Sequence, residues 1–311
     1  MKRRLARIML IVLAFTVLCC LGGCASFDSV TYANADQYTA GDTEITEKVE
    51  NIEIDWLTGN VSVVPHSGNT VLVSEKAEAG MPEELRVHWW LEGTTLRVKF
   101  SASGTGFRQF HAWHKDLIVT VPETLSLDDV VIQAASAEIE ARDLAAETLS
   151  VSTASGDMDI CCTANTIRLK SASGNLQLTQ QEQAREISMD TASGIINANL
   201  AHVDEAYFES SSGKINVTSA SVDSFSAKTA SGNITCALAP VPSVCKLHTV
   251  SGKVTLSLPA DADFAASIRT TSGDVESDFA LQKDGRTYIC GSGSADIDIE
   301  TTSGSIAIWK N

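Results

Sequence analysis

Eight positions that each follow a Ser-Gly dipeptide are the first candidates for chemistry in this sequence. The motif [Ser/Thr]-x-Ser-Gly recurs eight times between residues 153 and 304, and two of the residues next to it are aspartates. Carboxylates grouped across stacked repeats could serve a polysaccharide-cleaving enzyme as general acid and base. The column mixes charges instead, which is typical of a solvated face, so no catalytic residue is predicted. The eight positions are Asp157, Asn175, Ile195, Lys214, Asn233, Lys253, Asp274 and Ser305.

A metal site has little support in the residue spacing. His111 and His114 stand three residues apart without further ligands nearby, so a surface loop is predicted for them. Five cysteines beyond the N-terminal region show no CxxC spacing, and their pairing is left open. No metal or cofactor is therefore expected. The cysteines are Cys161, Cys162, Cys236, Cys245 and Cys290.

Aromatic residues gather in one region of a chain that has only 6% aromatics overall. Trp89, Trp90, Phe107, Phe110 and Trp113 lie within 25 positions of one another. Such side chains could stack on sugar rings or anchor a protein partner. Alternatively they close the open end of a stacked fold, and this second interpretation is the one we favour.

The N-terminus carries the pattern of an exported, acylated protein. Four basic residues within the first seven precede an apolar run at 8–18, and Leu21-Gly22-Gly23-Cys24 comes after it. This resembles a bacterial lipoprotein signal peptide, which implies removal of residues 1–23 and acylation of Cys24. A plain secretory signal and a transmembrane anchor are the alternatives, although the apolar run is short for a bilayer. The expected location is the extracytoplasmic face of the cell membrane.

Charge and composition describe the chain beyond the expected acylation site. Residues 24–41 are small, polar and aperiodic, which predicts a tether between the membrane and the folded part. The formal charge is −16, with 39 acidic and 23 basic residues. Nucleic-acid binding needs clustered basic residues, so nucleic acid is excluded as a partner.

The elements that must position these residues are defined by the repeat. Successive motif glycines are 18, 20, 19, 19, 20, 21 and 31 residues apart, so the period is near 19. Apolar residues alternate at period two on both sides of each glycine, which predicts strand, turn and strand. The glycines are Gly156, Gly174, Gly194, Gly213, Gly232, Gly252, Gly273 and Gly304.

A unit of about 19 residues cannot bury its apolar face alone, so neighbouring units must stack. The prediction is an all-β, single-stranded β-solenoid whose rungs pair in parallel over residues 42–311. Glycine would supply the backbone conformation of each corner. The Ser and Thr hydroxyls, in phase with the core, would satisfy backbone groups there or bond to each other between rungs.

Degenerate copies and interruptions complete the predicted array. Ala137 and Gly59 stand at corner positions of earlier rungs. The SASG at 101–104 is out of phase and is interpreted as part of a loop insertion at 101–116. A second loop insertion at 277–296 explains the interval of 31 residues, and Trp309 is expected to cover the last rung.

These features together resemble a known family. The runs ENIEIDWLTGNVSVVP and KDLIVTVPETLSLDDVVIQAASAEIEARDL, succeeded by Ser-Gly-centred rungs, are similar to the putative-adhesin family of extracytoplasmic β-solenoid domains, which includes LiaG-like envelope proteins. The similarity covers residues 42–311. It implies the fold and an envelope location, and it transfers no catalytic residues.

The sequence thus favours a non-enzymatic envelope lipoprotein. Its rigid surface would serve adhesion or the binding of cell-wall glycan or an envelope protein, with the membrane held through Cys24. Two alternatives remain, an accessory protein in envelope-stress sensing and a solenoid polysaccharide lyase or hydrolase.

Overall fold

Alternating apolar and polar residues fold into one continuous sheet of 21 strands. The computed structural model describes residues 29–106, 113–285 and 287–311. Two 3-10 turns, Ala35–Gln37 and Glu83–Leu85, precede the repeat. The strands of that region are β1 (Thr39–Ala40), β2 (Thr43–Ile45), β3 (Asn51–His66), β4 (Val71–Ala77), β5 (His88–Glu92), β6 (Thr95–Lys99) and β7 (Lys115–Pro122).

Long strands form the central rungs, and shorter ones form the C-terminal part. The central strands are β8 (Leu127–Ser155), β9 (Met158–Ser171), β10 (Leu176–Thr191), β11 (Ile196–Ser210) and β12 (Ile215–Ser231). The C-terminal strands are β13 (Ile234–Leu238), β14 (Val244–Ser251), β15 (Val254–Leu258), β16 (Phe264–Ser272), β17 (Val275–Ser277), β18 (Gln282–Asp284), β19 (Thr287–Cys290), β20 (Asp296–Ser303) and β21 (Ile306–Lys310).

Each central rung pairs in parallel with the rung before and after it. Leu176 of β10, for example, is in register with Met158 of β9 and Ile196 of β11. All three side chains are buried, as are Ile187 and Met189 near the end of β10. The predicted all-β solenoid with parallel rung pairing is therefore confirmed. The strand residues that come directly after each corner glycine form one face of the stack, which we call the post-glycine face. The strand residues that come directly before each corner glycine form the pre-glycine face, so a long strand such as β10 contributes to both faces.

At most corners glycine is required for a different reason from the predicted one, and of the motif glycines only Gly156, Gly273 and Gly304 also have the positive φ that was expected. A Cβ on Gly194 would lie 1.8 Å from the carbonyl oxygen of Gly174, and one on Gly213 would lie 1.6 Å from that of Gly194. Gly156 has a clearly positive φ of 130°, whereas Gly174 and Gly194 do not have a positive φ. Close approach of neighbouring rungs, rather than an unusual backbone conformation, thus excludes side chains here.

The N-terminal end departs from the solenoid pattern. Strand β3 lies in parallel between β8 and the pair β6 and β7. Antiparallel strands then close the stack: β4 on β7, β5 on β6, β1 on β5 and β2 on β4. Part of the predicted tether belongs to this end, because Val30 donates to Thr105 and Thr39 pairs with Trp89. The expectation of a free tether over the whole of 24–41 is therefore wrong for the residues from Ser29 onward.

The two predicted insertions differ from each other. Residues 101–106 are irregular, as expected for the out-of-phase SASG, but β7 begins at Lys115, inside the predicted loop. The middle of 277–296 is a β-hairpin rather than a loop: β18 pairs with β19, and β19 pairs antiparallel with β16. The hairpin satisfies the backbone groups along the outer edge of β16.

The order of the last rungs in space differs from their order in the chain. Strand β20 lies between β14 and β16, and β21 lies between β15 and β17. The C-terminal segment is therefore inserted as the penultimate rung. Trp309, half-buried on β21, does not cover the last rung as predicted, because β17 lies beyond it.

Candidate binding groove

A polar groove crosses the post-glycine face near the N-terminal end of the stack. Its volume is about 450 Å³, and strands β3, β8, β9, β10 and β11 supply its lining. Outward side chains at the first and third positions after each corner form its floor, because residues two apart on a strand share a face. The polar lining residues are Asn60, Ser62, Glu138, Glu140, Arg142, Asp157, Asp159, Asn175, Gln177 and Asn197.

Arg142 organises the carboxylates at one side of the groove. Its Nε donates to Glu140 Oε1 at 2.7 Å, and its Nη2 donates to Asp159 Oδ2 at 2.5 Å. The two carboxylates raise the pKa of the guanidinium, above all by accepting these hydrogen bonds, with Asp159 contributing more than Glu140. Arg142 therefore holds two carboxylates of neighbouring rungs in fixed positions.

Amide side chains connect the rungs at the other side. Asn175 donates from its backbone N–H to Asp157 Oδ1 at 2.8 Å and from Nδ2 to Asp157 Oδ2 at 3.0 Å. Its own Oδ1 accepts from the N–H of Ile195 at 2.9 Å. Because these side chains bond along the stack, the groove is built on rigid strands and presents fixed acceptors and donors.

The predicted column after the glycines is exposed except for the half-buried Ser305, and only Asp157 and Asn175 of it line the groove. The groove residues missed in the sequence include Glu138, Glu140 and Asp159. Glu138 comes directly after the degenerate corner at Ala137, and the other two occupy the third position after a corner. Reading that second outward column together with the first would have identified them.

The three described aromatic candidates, Trp89, Trp90 and Trp113, lie at the N-terminal end, and the residues that line the groove include no aromatic side chain. Trp89 is half-buried and packs on the core, which fits closure of the end of the stack. Trp90 points outward and contacts Tyr38 with ring centroids 5.6 Å apart. Trp113 lies beside Lys115. Phe107 and Phe110 lie outside the described residues, and so does Cys24.

Lys115 is a deeply buried charge in this region, with 2% of its side chain exposed against 0% for that of its partner Glu75. Its Nζ donates to Glu75 Oε2 at 3.1 Å, to the Leu85 carbonyl at 2.5 Å and to the Phe100 carbonyl. It also lies over the Trp56 ring, 4.9 Å from the centroid. All three ammonium hydrogens are thus used in holding the N-terminal end together.

Other candidate ligands remain apart. His114 is exposed and lies 3.4 Å from Asp116, whereas His111 is outside the described residues. Within the described ranges, no three His, Cys, Asp or Glu side chains are grouped to hold a metal.

The five cysteines are free thiols, and burial raises the pKa of Cys162 and Cys245 to about 12, so both serve as small core residues. No helix in the part described is long and apolar enough to cross a membrane.

Comparison with known proteins adds structural relatives at low sequence identity. A putative lipid-binding protein of Parabacteroides distasonis is 12% identical, with a TM-score of 0.50 over 88% of this chain and 97% of that one. A putative adhesin of Parabacteroides merdae is also 12% identical, with a TM-score of 0.48 over 91% and 99%. No curated protein matches the sequence.

The family is shown by the sequence itself. The model of the Toastrack DUF4097 family matches residues 49–309, which include every strand from β3 to β20 and most of β21. This agrees with the resemblance in the motifs and with the stacked rungs. The chain therefore belongs to the Toastrack DUF4097 family.

Proposed function

We propose that this protein is a non-enzymatic envelope lipoprotein that binds a hydroxyl-rich polymer, such as cell-wall glycan, in the groove of its post-glycine face. The anchor would be Cys24, on the extracytoplasmic side of the membrane. The observation that carries the proposal is the groove of about 450 Å³, floored by fixed amides and carboxylates on adjacent strands. Such groups accept from and donate to sugar hydroxyls at defined positions.

The arrangement of the carboxylates favours binding over cleavage. Glu140 and Asp159 accept from Arg142, and Asp157 accepts two hydrogen bonds from Asn175. A glycosidase needs a carboxyl that is free to reach the glycosidic oxygen of its substrate, whereas these three carboxylates are engaged with donors of the protein itself.

Binding can be tested with the full chain on an array of cell-wall glycans. The groove variant is Asn175→Ala/Gln177→Ala, since both side chains are exposed and line the groove. The matched control is Asn199→Ala, an exposed amide on β11 outside the groove. We expect the groove variant to weaken binding at least tenfold and the control to leave it unchanged. Equal binding by all three proteins, or none by the wild type, would contradict the proposal.

The anchor has its own test. A fatty-acid analogue supplied to the expressing bacterium is expected to label the wild-type chain and not Cys24→Ala. Unlabelled wild-type protein would remove the anchor from the proposal and leave the groove to be judged by the array.

A further inference from the structure

The chain enters the fold at one corner of the N-terminal end. Ser29 forms an antiparallel bridge with Gly106. Val30 donates to the carbonyl of Thr105 at 2.9 Å and accepts from Gly104 at 2.7 Å. The position of Ser29 relative to the stack is thus fixed by backbone hydrogen bonds.

This attachment leaves a short connection to the proposed anchor. Five residue steps separate Cys24 from Ser29, and a fully extended chain of that length spans about 17 Å at most. If the whole of 24–41 were free, the corresponding reach would be about 60 Å. The N-terminal end must therefore lie beside the bilayer if Cys24 is acylated, and this step rests on the proposed anchor.

The opposite end of the stack is remote from the membrane attachment. Eleven strands succeed one another on the post-glycine face, from β7 to β17. At about 4.8 Å per strand they separate the two ends by about 48 Å. Trp309, on the penultimate strand β21, belongs to the remote end.

The surface beside the attachment point is aromatic. Tyr32 and Tyr38 have ring centroids 4.7 Å apart, and Trp90 continues the row at 5.6 Å from Tyr38. The row is half-buried, and Tyr32 donates its hydroxyl to the Ser101 carbonyl beside the same corner. Trp113 lines a neighbouring recess together with Met81. Tyr and Trp combine an apolar ring with a polar tip, which suits the headgroup level of a bilayer.

We infer that this aromatic end, comprising Tyr32, Tyr38, Trp90 and Trp113, rests on the lipid bilayer as a second membrane contact beside the acyl anchor. The contact depends on aromatic rings rather than on basic residues. Arg97 and Lys99, behind the row, are paired with Glu53 and Asp55. Zwitterionic lipid therefore suffices, and the contact is insensitive to salt. The C-terminal hairpin, at the remote end of the stack, faces the space beyond the membrane.

Quenching of tryptophan fluorescence by brominated phosphatidylcholine tests this contact with the full, acylated chain in vesicles. Quenching is expected in the wild type, with at least a twofold reduction in Trp90→Phe/Trp113→Phe. Trp309→Phe is the matched control, because it removes a half-buried tryptophan from the remote end, and it should leave quenching unchanged.

The possible failures are distinguishable. Labelled protein that shows no quenching, or whose quenching is lost in Trp309→Phe, would overturn the membrane contact alone. Absence of fatty-acid label on Cys24 would overturn the anchor and, with it, this inference. Glycan binding is measured separately and bears on neither result.

Discussion

The hydroxyl of Thr191 donates to the carbonyl oxygen of Gly174, 3.1 Å away on the preceding rung. The hydroxyl oxygen of Thr191 in turn accepts from the N–H of Gly194 at 3.1 Å. Thr229 donates in the same way to the carbonyl of Gly213 at 3.2 Å. The buried hydroxyls therefore bond to the backbone of the neighbouring corner, and not to each other as the sequence also allowed. Each one joins two rungs at the point where the strands are interrupted.

Removing one of these hydroxyls should destabilise the fold. In Thr191→Val the shape is retained, but the Gly174 carbonyl and the Gly194 N–H lose a buried partner. An unsatisfied buried group costs about 1–3 kcal/mol, so we expect the free energy of unfolding to fall by about 2 kcal/mol or more. Urea unfolding measures the change. Thr218→Val, an exposed Thr on β12, is the control and should change stability by less than about 0.5 kcal/mol.

A methyl group at a corner should be more damaging than a change at the exposed serine beside it. Gly194→Ala would place Cβ 1.8 Å from the Gly174 carbonyl oxygen, so the rungs must separate. We expect a loss of about 3 kcal/mol or more in unfolding free energy, in the range of overpacked cores. Ser193→Ala changes an exposed neighbour of that glycine and serves as the control. A loss below about 0.5 kcal/mol in Gly194→Ala would show that the corner can relax.

The repeat could be predicted because its period is written directly in the residues. Alternation around Gly174 or Gly194 defines which side chains face inward, and stacking then results from the need to bury them. Even Ala137 proved to occupy a corner, since its carbonyl oxygen lies 2.0 Å from where a Cβ of Gly156 would stand. Local pattern thus determined the fold of each rung.

The arrangement in space of segments that are far apart in the chain could not be predicted from the sequence. The interval between Gly273 and Gly304 reveals an insertion, but no residue pattern tells that β20 and β21 return between earlier strands. The packing of the segment 29–38 against the N-terminal end also depends on tertiary contacts, because the small polar residues of this segment show no periodicity. The groove could not be predicted either, because its prediction requires knowing which outward-facing side chains of neighbouring rungs lie side by side.

Deleting residues 296–311, which include β20 and β21, should disorder β16 and β17, although both strands remain in the shortened chain. Strands β16 and β17 have their parallel partners only in β20 and β21 among the described strands. Hydrogen exchange of a chain ending at residue 295 should therefore show loss of protection over 264–277 and unchanged protection over Leu176–Thr191. Protection retained at 264–277 would mean that these strands pair with β14 and β15 instead, and the inserted order would not be essential.

Stability at alkaline pH should report the burial of Lys115. Burial lowers the pKa of its ammonium to about 8, although the Glu75 carboxylate opposes the shift. Between about pH 8 and the ordinary lysine pKa of about 10.4, the folded state has released this proton while the unfolded state still binds it. The unfolded state then binds more protons, so the Lys115 contribution to stability rises with pH over this window.

The expected rise is about 3 kcal/mol by pH 10.5, measured as the difference in unfolding free energy between the wild type and Lys115→Met. The other groups that titrate in this pH range are present in both proteins, so their contributions to the unfolding free energy cancel in this difference. Glu75 keeps its ion pair with Arg86 in the variant, so the buried carboxylate is not left alone. Lys228→Met, which changes an exposed lysine, is the control, and its unfolding free energy should show the same pH dependence as that of the wild type. If Lys115→Met also showed the same pH dependence as the wild type, Lys115 would have an ordinary pKa in the folded protein.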